Sequence, residues 1–207
     1  MKQNIERTEI INTLLKQMKG KSYMEIGINK LHWNFSKIHA PYKICIEPFP
    51  QPDTENLIDF IGTSDEYFDT ISSDVKFDVI FIDGLHVSDQ VTRDIHNSLL
   101  HLNEGGTIVC HDCLPKTEYE QLSSFHSGPW TGDVWKSIAR LRIESDDLDV
   151  KVVDTDHGCG IIRRGINIPY KGPEGDPYSY SYYVENRNNL LNVISVKEFY
   201  SFVENMK

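Results

Sequence analysis

Short apolar runs alternate with amphipathic stretches along most of this chain. An apolar run bounded by turn residues is typical of a buried strand, whereas apolar residues at a spacing of three and four are typical of a helix. The predicted strands are 22–28, 42–46, 57–61, 77–82, 106–110, 148–153 and 160–164. The predicted helices are 6–19, one within 29–40, 65–72 with Ser64 as its N-cap, 88–102, 133–143 and 196–204 with Ser195 as its N-cap.

This alternation of strands and helices predicts a doubly wound, mostly parallel, Rossmann-like α/β sheet. The last two predicted strands are joined by residues 154–158, a connection short enough for an antiparallel hairpin. We predict one domain at 1–166 and a tail at 167–207 that packs on it. The tail is rich in tyrosine, glycine and proline, and packing on the domain surface is preferred to a role as an aromatic cover over a ligand.

Composition narrows the choice of partners. The chain has 207 residues, enough for one α/β domain, and a formal net charge of −10. No basic stripe is visible, which disfavours nucleic acid and anionic membranes. No apolar stretch approaches the roughly 20 residues that span a bilayer. The polar residues 1–7 do not resemble a signal peptide, so a cytoplasmic location is expected.

Four cysteines are present, and two of them form a C-x-x-C motif at Cys110 and Cys113. Redox motifs of this kind normally open a helix after a strand. Here Cys110 lies inside a predicted strand and Pro115 follows closely. Ordinary core and loop cysteines are therefore preferred to a redox or zinc role.

Acid–histidine pairs follow two of the predicted strands. Asp83 and His86 come after strand 77–82, and His111 and Asp112 come after strand 106–110. In open α/β sheets the ligand crevice lies at the carboxyl ends of the strands, so the four side chains are expected to meet there. These side chains indicate catalysis or a metal ion. The alternatives are that Asp83 caps the following helix, that His86 is a surface residue, and that His111 forms a structural hydrogen bond to a neighbouring loop.

The first two strands predict a nucleoside-binding site. Gly27 permits close approach to the backbone, and Glu47 follows the second strand at the place where an acid binds ribose hydroxyls. A dinucleotide site would need further glycines, but Asn29 and His32 stand in their place. A cofactor without phosphates fits better, and S-adenosylmethionine is the obvious candidate.

The chain resembles the class I S-adenosylmethionine-dependent methyltransferases, in particular bacterial O-methyltransferases of macrolides and other sugar substrates. The resemblance spans about residues 20–165, and its motifs are fairly specific in their order and spacing. They are Glu25-Ile-Gly27, Glu47, Ile61-Gly-Thr-Ser64, Asp83-Gly-Leu-His86, Gly105 to Asp112, Gly132-Asp-Val-Trp-Lys136 and Gly158-Cys-Gly160.

The resemblance implies roles for these positions. The implied cofactor contacts are Glu25, Gly27, Asn29, Glu47, Ser64, Asp65 and Asp83. By the pattern of metal-dependent relatives, Asp83, His111 and Asp112 bind magnesium and His86 is the general base. His111 departs from that pattern, because metal-using relatives tend to carry an acid there. Magnesium prefers oxygen ligands, so His111 favours either a hydrogen bond to a metal-binding residue or a softer divalent metal.

The predicted function is methyl transfer to a hydroxyl of a small molecule or sugar, catalysed by a histidine base with a possible divalent metal. A nicotinamide-dependent oxidoreductase and an inactive cofactor-binding partner module are the alternatives. The irregular stretch 116–129 is expected to help build the acceptor pocket. For Trp130, Trp135 and Lys136, a core or interface position is preferred to contact with substrate. A homo-oligomer is compatible with the sequence.

Overall fold

The computed structural model describes residues 4–206. Residues 1–3, part of the polar stretch on which the absence of a signal peptide was predicted, lie outside the described residues, as does residue 207. The described chain forms a seven-stranded sheet in the order β2-β1-β3-β4-β6-β5-β7. The strands are β1 (Ser22–Ile26), β2 (Tyr42–Ile46), β3 (Phe77–Ile82), β4 (Leu102–Cys110), β5 (Leu148–Val153), β6 (Cys159–Arg164) and β7 (Val193–Ile194).

Strand directions confirm the predicted Rossmann-like fold. Strands β2, β1, β3 and β4 are parallel neighbours. Strand β6 is antiparallel to both β4 and β5, which is the predicted hairpin. The short strand β7 then adds to the edge, parallel to β5.

Helices cover both faces of the sheet. They are α1 (Arg7–Met18), α2 (Ser64–Thr70), α3 (Ser88–Leu100), α4 (Trp135–Glu144), α5 (Tyr180–Leu190) and α6 (Val196–Glu204). Helices α1 and α6 pack on one face, and α2 to α5 contribute to the core on the other. Strand β3 shows why the carboxyl-terminal parts of the central strands are apolar: Ile80 and Ile82 face one core, while Val79 and Phe81 face the other.

Two predicted elements were wrong. Residues 57–61 form no strand: a 3₁₀ turn covers Glu55–Leu57, and a single parallel bridge joins Phe60 to Ile46. Ile58 and Phe60 pack against the core, but Leu57 and Ile61 are 61% and 50% exposed, so this run is not buried on both faces as a central strand is. The helix predicted within 29–40 is reduced to a 3₁₀ turn at Phe35–Lys37.

Several boundaries moved by one to three residues. Strand β1 ends at Ile26, since Gly27 has a positive φ of 90°. Helix α2 begins at Ser64, and its N-cap is Thr63, which forms a capping box with Glu66. Helix α3 ends at Leu100, and the predicted last helical residue belongs to β4 instead.

The tail contains two elements that the pattern did not predict, α5 and β7. Tyr183 on α5 stacks against the buried Trp135, with ring centroids 4.7 Å apart, and donates a hydrogen bond to the carbonyl of Pro115 at 2.9 Å. Ser195 caps α6 as predicted, in a capping box with Glu198. Within residues 4–206, none of the helices has the length and apolar character required to cross a membrane.

Candidate active site

Two carboxylates and two imidazoles meet where β3 and β4 end. Nδ1 of His111 lies 3.2 Å from Oδ1 of Asp83 and 3.3 Å from Oδ2 of Asp112. Nε2 of His86 lies 3.4 Å and 3.3 Å from the same two oxygen atoms. The structure thus brings together all four residues that the sequence places at this edge, and we call them the acid–histidine cluster.

Backbone geometry holds the acid–histidine cluster in place. The amide of His111 donates to the carbonyl of Ile82 at 3.0 Å, which extends the parallel pairing one residue beyond β4. Asp112 then turns the chain with a φ of 60°, a left-handed conformation that is rare for a residue with a side chain. Such strained positions concentrate at functional sites, and this one directs the Asp112 carboxylate toward both imidazoles.

Asp83 does not cap the following helix, which was the alternative to a functional role. The N-terminus of α3 is capped by Asp133 instead, whose Oδ1 accepts from the amide of Ser88 at 2.7 Å. The Asp83 carboxylate therefore remains directed at the two histidines.

Burial and charge act in opposite directions on the cluster. Burial alone would raise the pKa of Asp83, but the charges and hydrogen bonds of His111 and His86 hold it well below its usual range. Burial alone would lower the pKa of His86, whereas its bond to Asp83 and the charge of Asp112 raise it on balance. His86 therefore holds a proton more strongly than an isolated histidine does.

The pattern analysis missed two members of this site, Arg7 and Asp156. Nη1 of Arg7 lies 2.8 Å from Nε2 of His111 and also donates to Asp156, at 3.1 and 3.2 Å to the two carboxylate oxygens. The contacts of Arg7 and His111 with Asp156 lower the pKa of that carboxyl to about 2, although burial opposes them. Only the tertiary structure brings residues 7, 111 and 156 together, so no local pattern could have shown this contact.

Among residues 4–206, two groups of three side chains have possible metal-ligand atoms within 4.8 Å of one another. One is Asp83, His86 and Asp112, and the other is His111, Asp156 and Cys159. The guanidinium of Arg7 lies against the second group, so that group is already occupied by a cation. The first group offers two carboxylates and an imidazole. The predicted ligand His111 is as close to the two acids as His86 is, but its other nitrogen faces Arg7.

At the end of β1, Gly27 allows two turns to pack closely. A Cβ atom there would lie 2.3 Å from the carbonyl oxygen of Asp83 and 2.5 Å from Cα of Gly84. The close contact between the ends of β1 and β3 therefore requires glycine at position 27, whether or not a ligand is bound. Asn29, two residues further, is exposed on the loop.

Glu47 stands at the end of β2, and its carboxylate reaches the β1 end. Oε2 accepts from the amide of Ile28 and Oε1 from the amide of Phe49, both at 2.8 Å. The two bonds fix the carboxylate between the loops after β1 and β2. Each oxygen has a further lone pair for a hydroxyl donor.

Glu25 has different surroundings. Its side chain is only 4% exposed, and its carboxyl accepts from the hydroxyl of Tyr23 and from Nδ2 of Asn34. Burial raises the pKa of Glu25 to about 8, and the nearby Asp83 adds to the shift, while the bonds from Tyr23 and Asn34 oppose it. The Glu25 carboxyl is therefore hydrogen-bonded inside the protein, beneath the loop after β1.

Ser64 and Asp65 open helix α2 and are both tied to α3. The hydroxyl of Ser64 donates to Oδ1 of the buried Asp94 at 2.6 Å. Nε2 of Gln90 donates to Oδ1 of Asp65 at 3.2 Å, and Arg93 forms an ion pair with Oδ2 of the same residue at 3.4 Å. These contacts fix the start of α2 next to the β2 end.

The loop at 116–129 folds against the acid–histidine cluster through Trp130. The Trp130 ring stacks on His86 with centroids 4.8 Å apart, and its Nε1 donates to the carbonyl of Leu122 at 2.7 Å. Phe125 meets Trp130 edge to face at 5.2 Å and is 78% exposed. Trp130 therefore forms an aromatic wall over His86, whereas Trp135 is fully buried and belongs to the core.

The cysteines are free thiols, and all of them are buried. Cys113 donates to the carbonyl of Cys110 at 3.3 Å, and this neighbour together with burial raises the pKa of the Cys110 thiol. Reactive cysteines have the opposite properties, a low pKa and partial exposure. The burial of the C-x-x-C pair is typical of core residues.

Comparisons with known proteins show which family and which fold this chain resembles. Residues 39–113 match the profile of a family described as a methyltransferase domain, a segment that includes Glu47 and the whole acid–histidine cluster. A search of curated protein sequences finds no match.

Solved structures share the fold. The SAH-bound methyltransferase PaMTH1 of Podospora anserina is 19% identical over 75% of this chain and 76% of its own, with a TM-score of 0.57. An O-methyltransferase from Bacillus cereus in complex with SAH is 16% identical over 78% and 82%, with a TM-score of 0.51. The MycE methyltransferase of mycinamycin biosynthesis, bound to Mg, SAH and mycinamycin VI, is 16% identical over 78% of this chain and half of its own, with a TM-score of 0.50.

At these identities the structures establish a shared fold, and the matched segment adds a likeness in sequence. Together they confirm that this chain resembles the class I S-adenosylmethionine-dependent methyltransferases.

Proposed function

We propose that this protein is an S-adenosylmethionine-dependent O-methyltransferase that acts on a small hydroxylated molecule. The observation that carries the proposal is the acid–histidine cluster, which lies at the carboxyl ends of β3 and β4 beside the ends of β1 and β2. Ligands of open α/β sheets bind at this edge. The solved relatives that hold SAH share the fold.

The proposed cofactor site lies at the ends of β1 and β2. Glu47 is fixed between the two loops and has lone pairs for the ribose hydroxyls. The start of α2, held by Asp94 and Gln90, stands next to it for the adenine. Gly27, Asn29 and Asp83 are the other proposed contacts. Glu25 acts through the shape of the loop, since its carboxyl is bonded internally.

The carboxylates of Asp83 and Asp112 would hold a divalent metal, and the imidazole of His86 between them is kept for the base. Carboxylate oxygens suit magnesium and manganese. Asp156 pairs with Arg7 and His111, whereas Asp83 and Asp112 are the acids that contact both histidines. When bound, such an ion would lower the pKa of an acceptor hydroxyl.

His86 is the proposed base. Methyl transfer from a sulfonium is an in-line displacement, and the acceptor oxygen must lose its proton as the new bond forms. The carboxylates of Asp83 and Asp112, 3.4 and 3.3 Å from Nε2, stabilise the imidazolium that results. Trp130 stacks on the ring and fixes its plane.

The acceptor is proposed to be a neutral hydroxylated molecule such as a sugar or glycoside. The MycE relative is bound to mycinamycin VI, and the exposed Phe125 with Trp130 offers an aromatic surface beside His86. A protein of net charge −10 would repel a polyanionic acceptor. We keep the cytoplasmic location as a prediction.

Calorimetric titration with S-adenosylmethionine tests the cofactor site. The wild-type protein should bind it, and Glu47→Gln should weaken binding about 10- to 100-fold, because one charged hydrogen-bond acceptor is lost. Glu55→Gln, which changes an exposed acid in the neighbouring 3₁₀ turn, is the matched control and should bind normally.

The wild-type result decides the proposal. If the wild-type protein fails to bind the cofactor, the assignment is wrong. If Glu47→Gln binds as tightly as wild type, the cofactor does not use this strand end.

A further inference from the structure

The loop after β1 covers residues 27–34, and we call it the β1 loop. Ile28 anchors its first part, because this residue is buried and its amide donates to Oε2 of Glu47 at 2.8 Å. Asn34, which is buried as well, anchors its end. Residues 29–33 are half-buried or exposed. The β1 loop is therefore fixed at two points and reaches the surface between them.

Asn34 is held through its side chain on two sides. Nδ2 donates to Oε2 of Glu25 at 3.0 Å and to the hydroxyl of Tyr23 at 3.1 Å, and both of these residues belong to β1. Oδ1 accepts from the hydroxyl of Thr8, in the first turn of α1, at 2.7 Å. The amide thus uses both its donor and its acceptor groups, and it joins the β1 loop to a strand and to a helix.

The partners of Asn34 on β1 are bonded to each other as well. The Tyr23 hydroxyl donates to Oε2 of Glu25, so the three side chains share one hydrogen-bond network, and all three are buried. A buried polar group that loses its partner costs free energy. The network is therefore expected to hold as a unit, and the end of the β1 loop is held with it.

The exposed part of the β1 loop is a turn with bonds of its own. The amide of Trp33 donates to the carbonyl of Lys30 at 2.9 Å, and the Lys30 ammonium lies 5.2 Å from the centroid of the Trp33 ring. These contacts give the turn its shape, but they join it to no other element. The place of the turn at the end of β1 therefore depends on the two anchors, Ile28 and Asn34.

We propose that Asn34 is a positioning residue for the cofactor. Through its bonds to Glu25 and Thr8, it holds the β1 loop in the place that the cofactor needs. Glu47 links the loop to the cofactor site, because the carboxylate proposed for the ribose is also the partner of the first anchor. A loop that must be ordered on binding lowers affinity, so the anchored loop binds the cofactor more tightly. This effect rests on the function proposed above.

Calorimetric titration with SAH measures the effect on the cofactor site. Asn34→Ala removes all three bonds and should raise Kd about tenfold. Thr8→Val removes one hydroxyl donor with little change of shape and should raise Kd about threefold. Thr8→Ser keeps the donor and should bind SAH as wild type does. A role of Thr8 in packing alone predicts the reverse, because valine keeps the volume of the side chain and serine does not.

Limited proteolysis measures the loop itself. Lys30 is exposed in the β1 loop, so trypsin cleaves after it at a rate that depends on how often the loop opens. Mass spectrometry should show faster cleavage there in Asn34→Ala and in Thr8→Val than in wild type. Thr13→Val, the same substitution at a half-buried position of α1 outside this network, is the matched control and should change neither cleavage nor Kd.

Wild-type affinity for SAH in both Asn34→Ala and Thr8→Val would overturn the inference and leave the proposed function intact. That holds even if urea unfolding shows the variants to be less stable, because a purely structural role gives that result. If Asn34→Ala does not fold, Thr8→Val and Thr8→Ser decide the matter. A wild type that does not bind SAH refutes the proposed function and the positioning role with it.

Discussion

The edge of the sheet where the strands end has two halves, the ends of β1 and β2 and the ends of β3 and β4. The carboxylates of the two halves have different hydrogen-bond partners. At the ends of β1 and β2, Glu47 is bound by backbone amides and Glu25 by the neutral side chains of Tyr23 and Asn34. At the ends of β3 and β4, the carboxylates face histidines. The first half therefore uses acids to shape loops, whereas the second places titratable groups against one another.

This difference separates two kinds of pKa shift. Burial raises the pKa of Glu25, whose hydrogen-bond partners are neutral. The pKa of Asp83 is lowered, because the charges and hydrogen bonds of His111 and His86 outweigh the effect of burial. Strongly perturbed groups that owe their shift to specific partners in a cleft are candidates for catalysis. The contrast points to the second half as the place where protons are transferred.

Replacing His86 is expected to have the largest effect. His86→Gln should lower turnover about 10²- to 10⁴-fold, the usual contribution of a general base. In wild type, kcat/KM should rise as the pH increases through the raised pKa of His86, because only the neutral ring accepts a proton. Steady-state assays across pH with the purified protein measure both.

His96→Gln, an exposed histidine on α3, is the control and should retain full turnover. Full turnover in His86→Gln would contradict the base assignment. If His86→Gln also loses its divalent metal, His86 is a ligand and its role as the base falls.

Asp112→Asn should weaken binding of Mn²⁺ at least about tenfold, since one charged ligand becomes neutral. Calorimetry with Mn²⁺ alone measures this, and Glu47→Gln, in the other half, should bind the ion as wild type does. Equal affinity of Asp112→Asn and wild type for Mn²⁺ would show that the ion does not bind at the acid–histidine cluster.

Glu25→Gln should change stability and its pH dependence. The folded-state pKa of Glu25, about 8, lies above its usual value. Its contribution to stability is therefore complete below about pH 4.5 and is lost as the pH rises toward 8, by at most about 1.4 kcal/mol per pH unit. Glutamine stays neutral, so the variant should gain stability relative to wild type as the pH rises from 5 to 8.

Urea unfolding at several pH values measures that difference. A constant gap between the two proteins would show that Glu25 is ionised in the folded protein, as Asp83 in the other half is. Glu55→Gln, which changes an exposed acid, is the matched control variant.

Hydrophobic periodicity was sufficient for the central strands and for most helices. Runs such as 79–82 are buried on both faces, so every position in them is apolar and the pattern predicts a strand. It failed where apolar residues lie at the surface, as at Leu57 and Ile61, and where a helix is polar on most sides, as in α5.

The candidate site residues were predictable where they come directly after a strand. Asp83, His86, His111 and Asp112 were placed at one edge because parallel strands end at the same side of a sheet. Which hydrogen bonds Glu25 and Glu47 make was not predictable, because their partners depend on how the loops pack.

The sequence by itself determined the sheet, its parallel direction and the edge where the ionisable residues gather, since these follow from local periodicity and chain order. Only the tertiary structure brought Arg7 and Asp156 to His111. The contacts of Arg7 with His111 and Asp156 span more than a hundred residues of chain and depend on how α1 docks on the β5–β6 turn, which no local pattern encodes.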